Sequence, residues 1–434
     1  MNQQYKALLS SMGVHIPEIL MPNTQDMSKW AVVACDQYTS EPDYWKNVSN
    51  FVNGSPSTLP IIFPEVYLEQ GILKSINDCF VLVDRKTTHT ASRKGLVVAL
   101  DLDCYDYTRG CNALIRATEG TVIERLPPRI KIRQNAAIEL PHIMVLIDDP
   151  KKTVIEPLFD KLDQFEKLYD FELMMNSGHI KGYKICDEDS LNQIAESLNG
   201  LCDKQEFSNK YCIPEDSSLL LFAVGDGNHS LASAKGHWDN IKIGLSEEQR
   251  HCHPARYALV ELVNVHDDGL VFEPIHRVLF NVNADHLIQE FKNYYKDNTY
   301  ISSHDECAVT QVPEISSVCC ANNSREHTFR YITSNGEASV TIDSPVNNLH
   351  VGTLQVFLDS YINQHPEVKI DYIHGEDVVT KLGSLPGNMG FYLPAMDKMD
   401  LFKTVILDGA LPRKTFSMGE ADEKRFYLEC RKIK

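Results

Sequence analysis

The stretch from Leu219 to Lys235 constrains the fold of this chain more than any other. Six apolar residues in a row, Leu219 to Val224, are typical of a strand that is buried on both faces of a sheet. The apolar and small residues that begin at Leu231 predict a helix. Between them stands the turn Gly-Asp-Gly-Asn-His-Ser at 225–230. A strand, a glycine-containing turn and a helix in this order predict an α/β unit.

The residue types in this turn indicate a binding or catalytic role. Gly225 and Gly227 allow positive φ and a close approach of the backbone to a ligand, and the amides that open the next helix favour an anion. Asp226 and His229 add a carboxylate and an imidazole. Such a pair can hold a metal-bound phosphate or move a proton.

An ordinary strand-to-helix turn is the alternative explanation of the same residues. In that case Asn228 or Ser230 serves only as the N-cap of the helix. The glycine spacing also fits neither a Walker A loop nor the dinucleotide-binding fingerprint. If nucleotide phosphates bind here, another arrangement must hold them.

Composition and charge limit the partners and the compartment of the protein. A chain of 434 residues predicts two or three lobes. Its net charge of -18 argues against a nucleic-acid partner, although a local basic pocket for a small anion is compatible with it.

The first residues show no signal-peptide pattern, and no apolar run is long enough to cross a membrane, so we expect a cytoplasmic protein without a membrane partner. The twelve cysteines are then expected to be reduced. The sequence does not indicate an oligomeric state.

The order of predicted elements gives the fold class. Strands and helices alternate up to Leu219, which predicts an α/β (mixed α+β) fold with a central mixed sheet flanked by helices. We expect an α/β core over residues 1–280, which carries the turn, and a smaller accessory α+β lobe over 281–434. The segment 412–415 is expected to pack back on the core. Paired strands are predicted at 79–85 and 94–101, in a sheet with one covered face.

Three acidic residues directly follow apolar runs. They are Asp36, Asp148 and Asp226. Ligands of open α/β sheets bind beyond the carboxyl ends of the strands. The three carboxylates are therefore candidates to converge on one site.

Several basic side chains are candidate phosphate ligands in this acidic chain. Arg129, Lys131 and Arg133 belong to a group of five basic residues within 116–133. A solvated helix face explains that group as well as an anion site does. Arg277 is predicted on a loop or at the start of a helix. Lys414 lies in a proline-containing segment that suits either an anion clamp or an exposed tail.

Five short segments, in order along the chain, resemble motifs of the bacterial and archaeal proteins grouped as domain of unknown function 1015. The turn at 226–229 resembles the Asp-Gly-His-His-Arg turn of that family. Two earlier segments resemble its Pro-Tyr-Asp and His-Glu-x-Thr motifs, and two later ones its Leu-Pro-x-His-Arg and Met-Pro-Pro-Lys-Ser-Thr motifs. These four segments lie at 35–41, 118–121, 272–277 and 411–416.

The resemblance implies a function. The Asp-Gly-x-His turn is similar to that of the ParB/sulfiredoxin-like fold, whose members include nucleotide hydrolases, sulfiredoxin and kinases of free serine. By this resemblance the chain is expected to be a phosphoryl-transfer enzyme. It would use ATP or ADP and Mg²⁺ to phosphorylate a small hydroxylated metabolite such as free L-serine.

The same resemblance assigns roles to residues. Glu119 is the expected general base toward the substrate hydroxyl, while Asp226 and His229 act beside the phosphates. Asp226 and Asp36 are the expected metal ligands. The remaining nucleotide contacts are expected from Gly225, Gly227, Asn228, Ser230, Arg129, Lys131, Arg133, Arg277 and Lys414.

The chain departs from the pattern in two places, which keeps other functions open. Ser230 stands where related turns carry Arg, and Arg116 with Ala117 replaces the polar approach to Glu119. The first departure favours a nucleotide- or metabolite-binding sensor or scaffold without turnover. A metal-assisted hydrolase is a further alternative, and it requires Asp36, Asp226 and His229 within reach of one metal.

Overall fold

The computed structural model of the chain describes residues 4–24, 26–33, 42–61, 73–76, 78–140, 142–295, 299–302, 326–419 and 421–434. Asp36 lies outside these residues. The α-helices are α1 (Gln4–Ser11), α2 (Pro42–Val52), α3 (Thr58–Ile61), α4 (Leu126–Asn135), α5 (Glu188–Gly200), α6 (Lys204–Tyr211), α7 (Asn228–Lys242), α8 (Glu247–Cys252), α9 (Ala284–Tyr295), α10 (His350–Gln364), α11 (Glu376–Gly383) and α12 (Lys398–Asp408). None of these helices has the length and apolar character needed to span a membrane.

The strands run from β1 near the N-terminus to β22 near the C-terminus. They are β1 (Val14–His15), β2 (Ile19–Pro22), β3 (Leu73–Ile76), β4 (Phe80–Lys86), β5 (Arg93–Asp101), β6 (Tyr105–Asp106), β7 (Ile115–Ala117), β8 (Ile138–Glu139), β9 (Met144–Ile147), β10 (Glu166–Glu172), β11 (His179–Ile185), β12 (Phe222–Asp226), β13 (Tyr257–Asn264), β14 (Phe272–Pro274), β15 (His276–Phe280), β16 (Thr299–Ser302), β17 (Glu326–Thr333), β18 (Gly336–Asp343), β19 (Lys369–Ile373), β20 (Asn388–Tyr392), β21 (Phe416–Met418) and β22 (Arg431–Lys432).

The chain forms two compact units. The first comprises Met1–Val271 together with Met418–Lys434, and the second comprises Phe272–Ser417. Both units combine helices with sheets, so the predicted mixed α/β class is confirmed. The predicted boundary at residue 280 and the predicted packing of segment 412–415 on the core stay predictions.

The first unit is built on a ten-stranded mixed sheet. Its strand order is β10-β11-β4-β5-β13-β9-β12-β7-β6, and β1 pairs with β5. β13 runs antiparallel to β5 but parallel to β9, while β12 runs antiparallel to β9 and parallel to β7. The predicted central mixed sheet is therefore confirmed. These directions decide which strand ends share an edge of the sheet.

Both faces of this sheet are covered, which corrects the expectation of a single covered face. On β5, Leu96 and Val98 belong to one buried cluster, while Val97 between them belongs to another. On β4, Leu82 and Val83 divide in the same way. Because successive side chains of a strand point to opposite faces, both faces pack against apolar neighbours. That double burial removes the alternation that a half-exposed strand would show.

The C-terminal segment covers part of one face. Phe426, Leu428 and Cys430 are buried in the same cluster as Val97. The indole Nε1 of Trp30 donates to the Leu428 carbonyl at 2.9 Å. The last residues are thus part of the core of the first unit.

The second unit contains a six-stranded sheet with the order β16-β18-β17-β20-β15-β19. Arg277 lies in β15, which pairs on both sides with antiparallel neighbours. The predicted loop or helix start at this position is therefore wrong. The proline at 274 ends the short strand β14, and the chain resumes as a strand two residues later.

Glu139 illustrates how charges are buried in the first unit. Its Oε2 lies 2.6 Å from Nη2 of Arg133, and its Oε1 lies 2.8 Å from Nε of Arg431. The amide of Leu259 also donates to Oε1 at 2.9 Å. Burial acts to raise the pKa of Glu139, but the charges of Arg133 and Arg431 outweigh it and hold the pKa below its usual 4.5.

The lowered pKa of Glu139 predicts a loss of stability in acid. Because its folded pKa lies below its unfolded value, its contribution is complete above about pH 4.5 and is lost as the pH falls through the folded pKa. Glu139→Gln should lower the free energy of unfolding at neutral pH, and its difference from wild type should shrink below that pH. Urea unfolding followed by tryptophan fluorescence measures this, because Trp30, Trp45 and Trp238 all lie in the first unit. Glu215→Gln, in an exposed loop, is the charge-matched control. An effect of Glu139→Gln that is constant with pH would contradict the prediction.

Candidate functional site

The turn at 225–230 joins β12 directly to α7. β12 ends at Asp226, and Gly227 adopts φ 83° and ψ 24° before the helix begins at Asn228. The N-cap is therefore Gly227, so neither Asn228 nor Ser230 is the helix cap. Gly227 has no side chain with which to cap the helix.

The two glycines are required by their surroundings. The backbone of Gly227 is in the left-handed conformation, which favours glycine. A Cβ at this position would also lie 3.0 Å from Cγ1 of Ile143. A Cβ on Gly225 would lie 2.9 Å from Cε of Met418 and 3.0 Å from Cγ of Leu146. Close packing thus explains both glycines without a ligand.

Gly227→Ala is expected to destabilise the first unit by about 1–2 kcal/mol, because the left-handed conformation is unfavourable for alanine and freely adopted by glycine. Gly200→Ala is the matched control. Gly200 ends α5, its φ is not positive and a Cβ there would meet nothing within 4 Å. This control should be neutral or slightly stabilising in the same urea unfolding. Equal losses from the two substitutions would show that the backbone of the turn is not the cause.

β7 brings Glu119 to the same edge of the sheet. β7 is parallel to β12, with Ala117 opposite Val224, so both strands end at one edge. Thr118 follows β7, and its hydroxyl donates to the Val224 carbonyl at 2.6 Å. Glu119 comes next in the chain and is partly exposed.

The segment after Glu119 also contacts the turn. The amide of Val122 donates to Nε2 of His229 at 3.2 Å. Since residues on both sides of Glu119 touch β12 or α7, Glu119, Asp226 and His229 lie around one strand-to-helix junction.

Asn228 is buried in this junction with an unused acceptor. Its side-chain amide nitrogen lies 3.5 Å from Oγ1 of Thr118, and its Oδ1 has no hydrogen-bond partner in the described part of the structure. A buried carbonyl oxygen without a donor is costly. It is a place where a ligand or water could donate.

Asp226 is partly exposed and already bears two contacts. Its Oδ1 accepts a hydrogen bond from the amide of Gly227 at 2.8 Å, and its Oδ2 lies 3.4 Å from Nζ of Lys424. Lys424 also donates to the Met418 carbonyl at 3.3 Å. A bound cation at Asp226 would compete with this ammonium group.

The residues present offer Mg²⁺ a partial site. No group of three His, Cys, Asp or Glu side chains among the described residues is arranged to hold a metal. Mg²⁺ is often bound through one or two carboxylates and completed by substrate phosphates and water. Asp226 can supply one such carboxylate, so the donor set fits a metal that arrives with a nucleotide. The predicted second ligand, Asp36, is outside the described residues.

Asp148 does not converge with Asp226. β9 runs antiparallel to β12, so Asp148, which follows β9, lies at the opposite edge of the sheet. There its carboxylate contacts Nε2 of His266 at 2.6 Å and Nζ of Lys210 at 2.7 Å. Burial acts to raise the pKa of Asp148, but the hydrogen bond from His266 and the charge of Lys210 lower it. Strand direction is the reason that the expected convergence fails.

The predicted cations are spread over both units. Arg129, Lys131 and Arg133 lie on α4, where the first two are exposed and Arg133 pairs with Glu139. Arg277 and Lys414 lie in the second unit. A role of any of these five in phosphate binding stays a prediction.

Arg277 has a structural environment of its own. Its Nε donates to Oε1 of Gln355 at 3.0 Å, and its Nη1 donates to the Ile275 carbonyl at 2.5 Å. Its guanidinium also lies 4.7 Å from the ring centroid of Tyr372. Lys414 is exposed, with a positive φ of 57°.

Arg116, one of the departures from the family pattern, lies away from the junction. Its guanidinium is buried and donates to the carbonyls of Ala113, Ser218 and Leu219. Ser218 and Leu219 precede β12, whereas the junction follows it. Arg116 therefore secures the start of β12.

Sequence reasoning missed four residues at the junction. They are Thr118, His142, Lys424 and Tyr427. His142 Nε2 lies 3.1 Å from Oγ of Ser230, and its ring packs edge to face on Tyr427 with centroids 5.2 Å apart. Thr118 belongs to the segment 118–121, which resembles a family motif, and this resemblance is the signal in the sequence that could have indicated it. The other three are distant in the chain from the turn.

Comparisons with solved structures give matches of low similarity. A conserved hypothetical protein from Pyrococcus furiosus matches with a TM-score of 0.35 and 10% identity, over 76% of this chain and 93% of that chain. A mutant of free serine kinase in complex with ADP matches with a TM-score of 0.39 and 9% identity, over 78% of this chain and 92% of that chain. Free serine kinase in complex with AMP matches with a TM-score of 0.37 and 9% identity, over the same shares of the two chains.

Comparison of the sequence with family models identifies the family. No curated protein matches the chain. A family model described as "Protein of unknown function (DUF1015)" matches residues 66–361, which is more than half of the chain. The chain belongs to the DUF1015 family.

Proposed function

We propose that this chain is a nucleotide-dependent phosphotransferase, which uses ATP or ADP with Mg²⁺ to phosphorylate a small hydroxylated metabolite. The observation that carries the proposal is the placement of Glu119, Asp226 and His229 around one strand-to-helix junction at an edge of the large sheet. Free L-serine is the first substrate to test, because the Asp-Gly-x-His turn resembles that of free-serine kinases.

The start of α7 supports the binding of a phosphate. The aligned peptide dipoles of a helix place about half a positive charge at its N-terminus, and the first amides point toward an anion there. α7 is 15 residues long, and its N-cap, Gly227, has no side chain that could occupy the anion position. Phosphoryl transfer depends on such positioning and charge neutralisation more than on covalent chemistry.

Asp226 and Lys424 supply opposite charges beside this anion position. Asp226 would hold Mg²⁺, which offsets phosphate charge when it is bound with the nucleotide. Lys424, now 3.4 Å from Asp226, would be released to face a phosphate oxygen. The orphaned Oδ1 of Asn228 could accept a hydrogen bond from the ligand.

Glu119 is the proposed general base. It follows Thr118, which is hydrogen-bonded to β12, and it precedes Val122, which is hydrogen-bonded to His229. A partly exposed carboxylate at this place can accept the proton of a substrate hydroxyl as that oxygen attacks phosphorus.

A turnover screen tests the proposal. The purified protein is incubated with ATP or ADP and Mg²⁺ and with pools of hydroxylated metabolites that include L-serine, and phosphorylated products are followed by mass spectrometry. A new phosphorylated metabolite that Glu119→Gln suppresses would support the kinase and identify its substrate. Failure to bind either nucleotide would reject both the kinase and a nucleotide-dependent sensor.

A sensor without turnover is the second candidate, and Ser230 favours it. This serine replaces the arginine of related turns, and its hydroxyl contacts His142. Nucleotide binding without any product in the screen would support the sensor. Metal-dependent release of phosphate without an acceptor would instead indicate the hydrolase, which also requires Asp36.

A further inference from the structure

Ser230 and His142 form a close pair beside the start of α7. Oγ of Ser230 lies 3.1 Å from Nε2 of His142, and both residues are partly exposed. Ser230 is the third residue of α7, whereas His142 lies just before β9, the strand that pairs with β12. With the ring proton on Nδ1, Nε2 of His142 accepts a hydrogen bond from the serine hydroxyl. A serine in hydrogen-bond reach of an imidazole base is the arrangement that activates a nucleophile.

The backbone of the helix does not require this contact. The amides of Ser230 and Leu231 both donate to the Gly227 carbonyl, at 2.9 and 3.0 Å. One turn further on, the hydroxyl of Ser233 donates to the His229 carbonyl at 2.7 Å, which is the usual use of a serine inside a helix. Ser230 instead directs its hydroxyl across to His142, in the segment that leads into β9.

The ring of His142 has a packing partner in the C-terminal segment. It packs edge to face against Tyr427, which joins Val32 in a β-bridge. This contact restricts the orientation of the imidazole relative to Ser230. A base held in a fixed orientation loses less entropy when the proton is transferred.

We propose that Ser230 is a phosphoryl acceptor and that His142 is its general base. This inference rests on the proposed function, because the donor is the nucleoside triphosphate bound at the start of α7. Oγ of Ser230 attacks the terminal phosphorus of ATP, a new O–P bond forms, and the bond from that phosphorus to the bridging oxygen of ADP breaks. The hydroxyl proton passes to Nε2 of His142, and ADP leaves with the electron pair of the broken bond.

The charge at this position suits the product. The phosphate on Ser230 would lie in the first turn of α7, where the helix dipole stabilises negative charge. Lys424 forms an ion pair with Asp226 at the same junction and can contribute a positive charge. The serine that replaces the arginine of related turns would thus carry a covalent phosphate, where the arginine would bind a free one.

The test is phosphate incorporation in the absence of any metabolite. The full chain is incubated with ATP and Mg²⁺, quenched in acid, and analysed by intact mass and by peptide fragmentation. We expect one added phosphate, located on Ser230 of the wild-type chain. Ser230→Ala should abolish it, while Ser233→Ala, the matched control on the same helix, should leave it unchanged.

A second variant separates the base from a structural role of the ring. His142→Ala should slow phosphate incorporation about 100-fold. Free imidazole in the buffer should restore part of the rate, which it would not do if His142 served only to pack on Tyr427. An unchanged rate in His142→Ala, or a slowed rate without any rescue, would overturn the role of His142 as base.

Calorimetric titrations with a non-hydrolysable ATP analogue and with ADP distinguish failure of the inference from failure of the proposed function. If the analogue binds and Ser230 carries no phosphate, the inference is overturned and the proposed function stands. If ADP binds but the analogue does not, the inference is overturned and the proposed function stands. If neither binds, both are overturned. Phosphate on another residue, with Ser230 unmodified, likewise overturns the inference.

Discussion

Asp226→Asn is expected to reduce nucleotide-dependent turnover by a factor of about 100 or more while the chain remains folded. The amide keeps the shape of the side chain and can still accept a hydrogen bond from Gly227. It loses the negative charge that now pairs with Lys424 and that would bind Mg²⁺. Removal of one preorganised electrostatic contact from an active site costs about 100-fold to 1,000-fold in rate. The measurement is initial velocity with the substrate found in the screen.

Two further variants make this result specific to Asp226. Asp216→Asn changes an exposed carboxylate shortly before β12 and should leave turnover unchanged. Lys424→Met removes the partner of Asp226 but keeps the carboxylate, so nucleotide binding should weaken in it but should still depend on Mg²⁺. In Asp226→Asn, that Mg²⁺ dependence should be lost. Full turnover in Asp226→Asn would remove this residue from the proposed mechanism.

Arg425→Met is expected to cause the largest loss of stability, about 3–5 kcal/mol. The guanidinium of Arg425 is buried, with Nη1 2.9 Å from Oε2 of Glu261 and Nη2 2.5 Å from Oε2 of Glu429. The hydroxyl of Tyr169 also donates to Glu429 at 2.6 Å. Burial acts to lower the pKa of Arg425, but Glu429 and Glu261 outweigh it and raise the pKa. Without the arginine, the two buried carboxylates would lose the ion pairs that they form with it.

Urea unfolding followed by tryptophan fluorescence measures this loss in the first unit. Lys151→Met is the control, because Lys151 forms an exposed ion pair with Glu206 at 3.3 Å and such pairs contribute about 0–1 kcal/mol. Glu261→Gln and Glu429→Gln, added to Arg425→Met, should recover part of the stability because they remove the uncompensated charges. If Arg425→Met is no more destabilising than Lys151→Met, the buried network does not stabilise the fold.

The local order of strand, turn and helix could be predicted from the sequence. The apolar run before Gly225 does become a buried strand, although β12 begins at Phe222 and not at Leu219. The helix also follows the turn at once. Such elements are predictable because hydrophobic periodicity and glycine act over a few neighbouring residues.

Strand direction was not predictable from the same patterns. A buried apolar run gives no indication of whether its neighbours in the sheet are parallel or antiparallel. Asp148 and Asp226 follow similar runs, yet antiparallel pairing of β9 and β12 places them at opposite edges. Glu119 and Asp226 share an edge because β7 and β12 are parallel.

The sequence by itself determined the mixed α/β class, the family and the strand-to-helix turn with its glycine, carboxylate and imidazole. The tertiary structure alone decided what these groups contact. Lys424 reaches Asp226 and His142 reaches Ser230 across long separations in the chain. Such pairs depend on sheet order and on the path of the C-terminal segment, which the packing of the whole core selects, so no local pattern of residues encodes them.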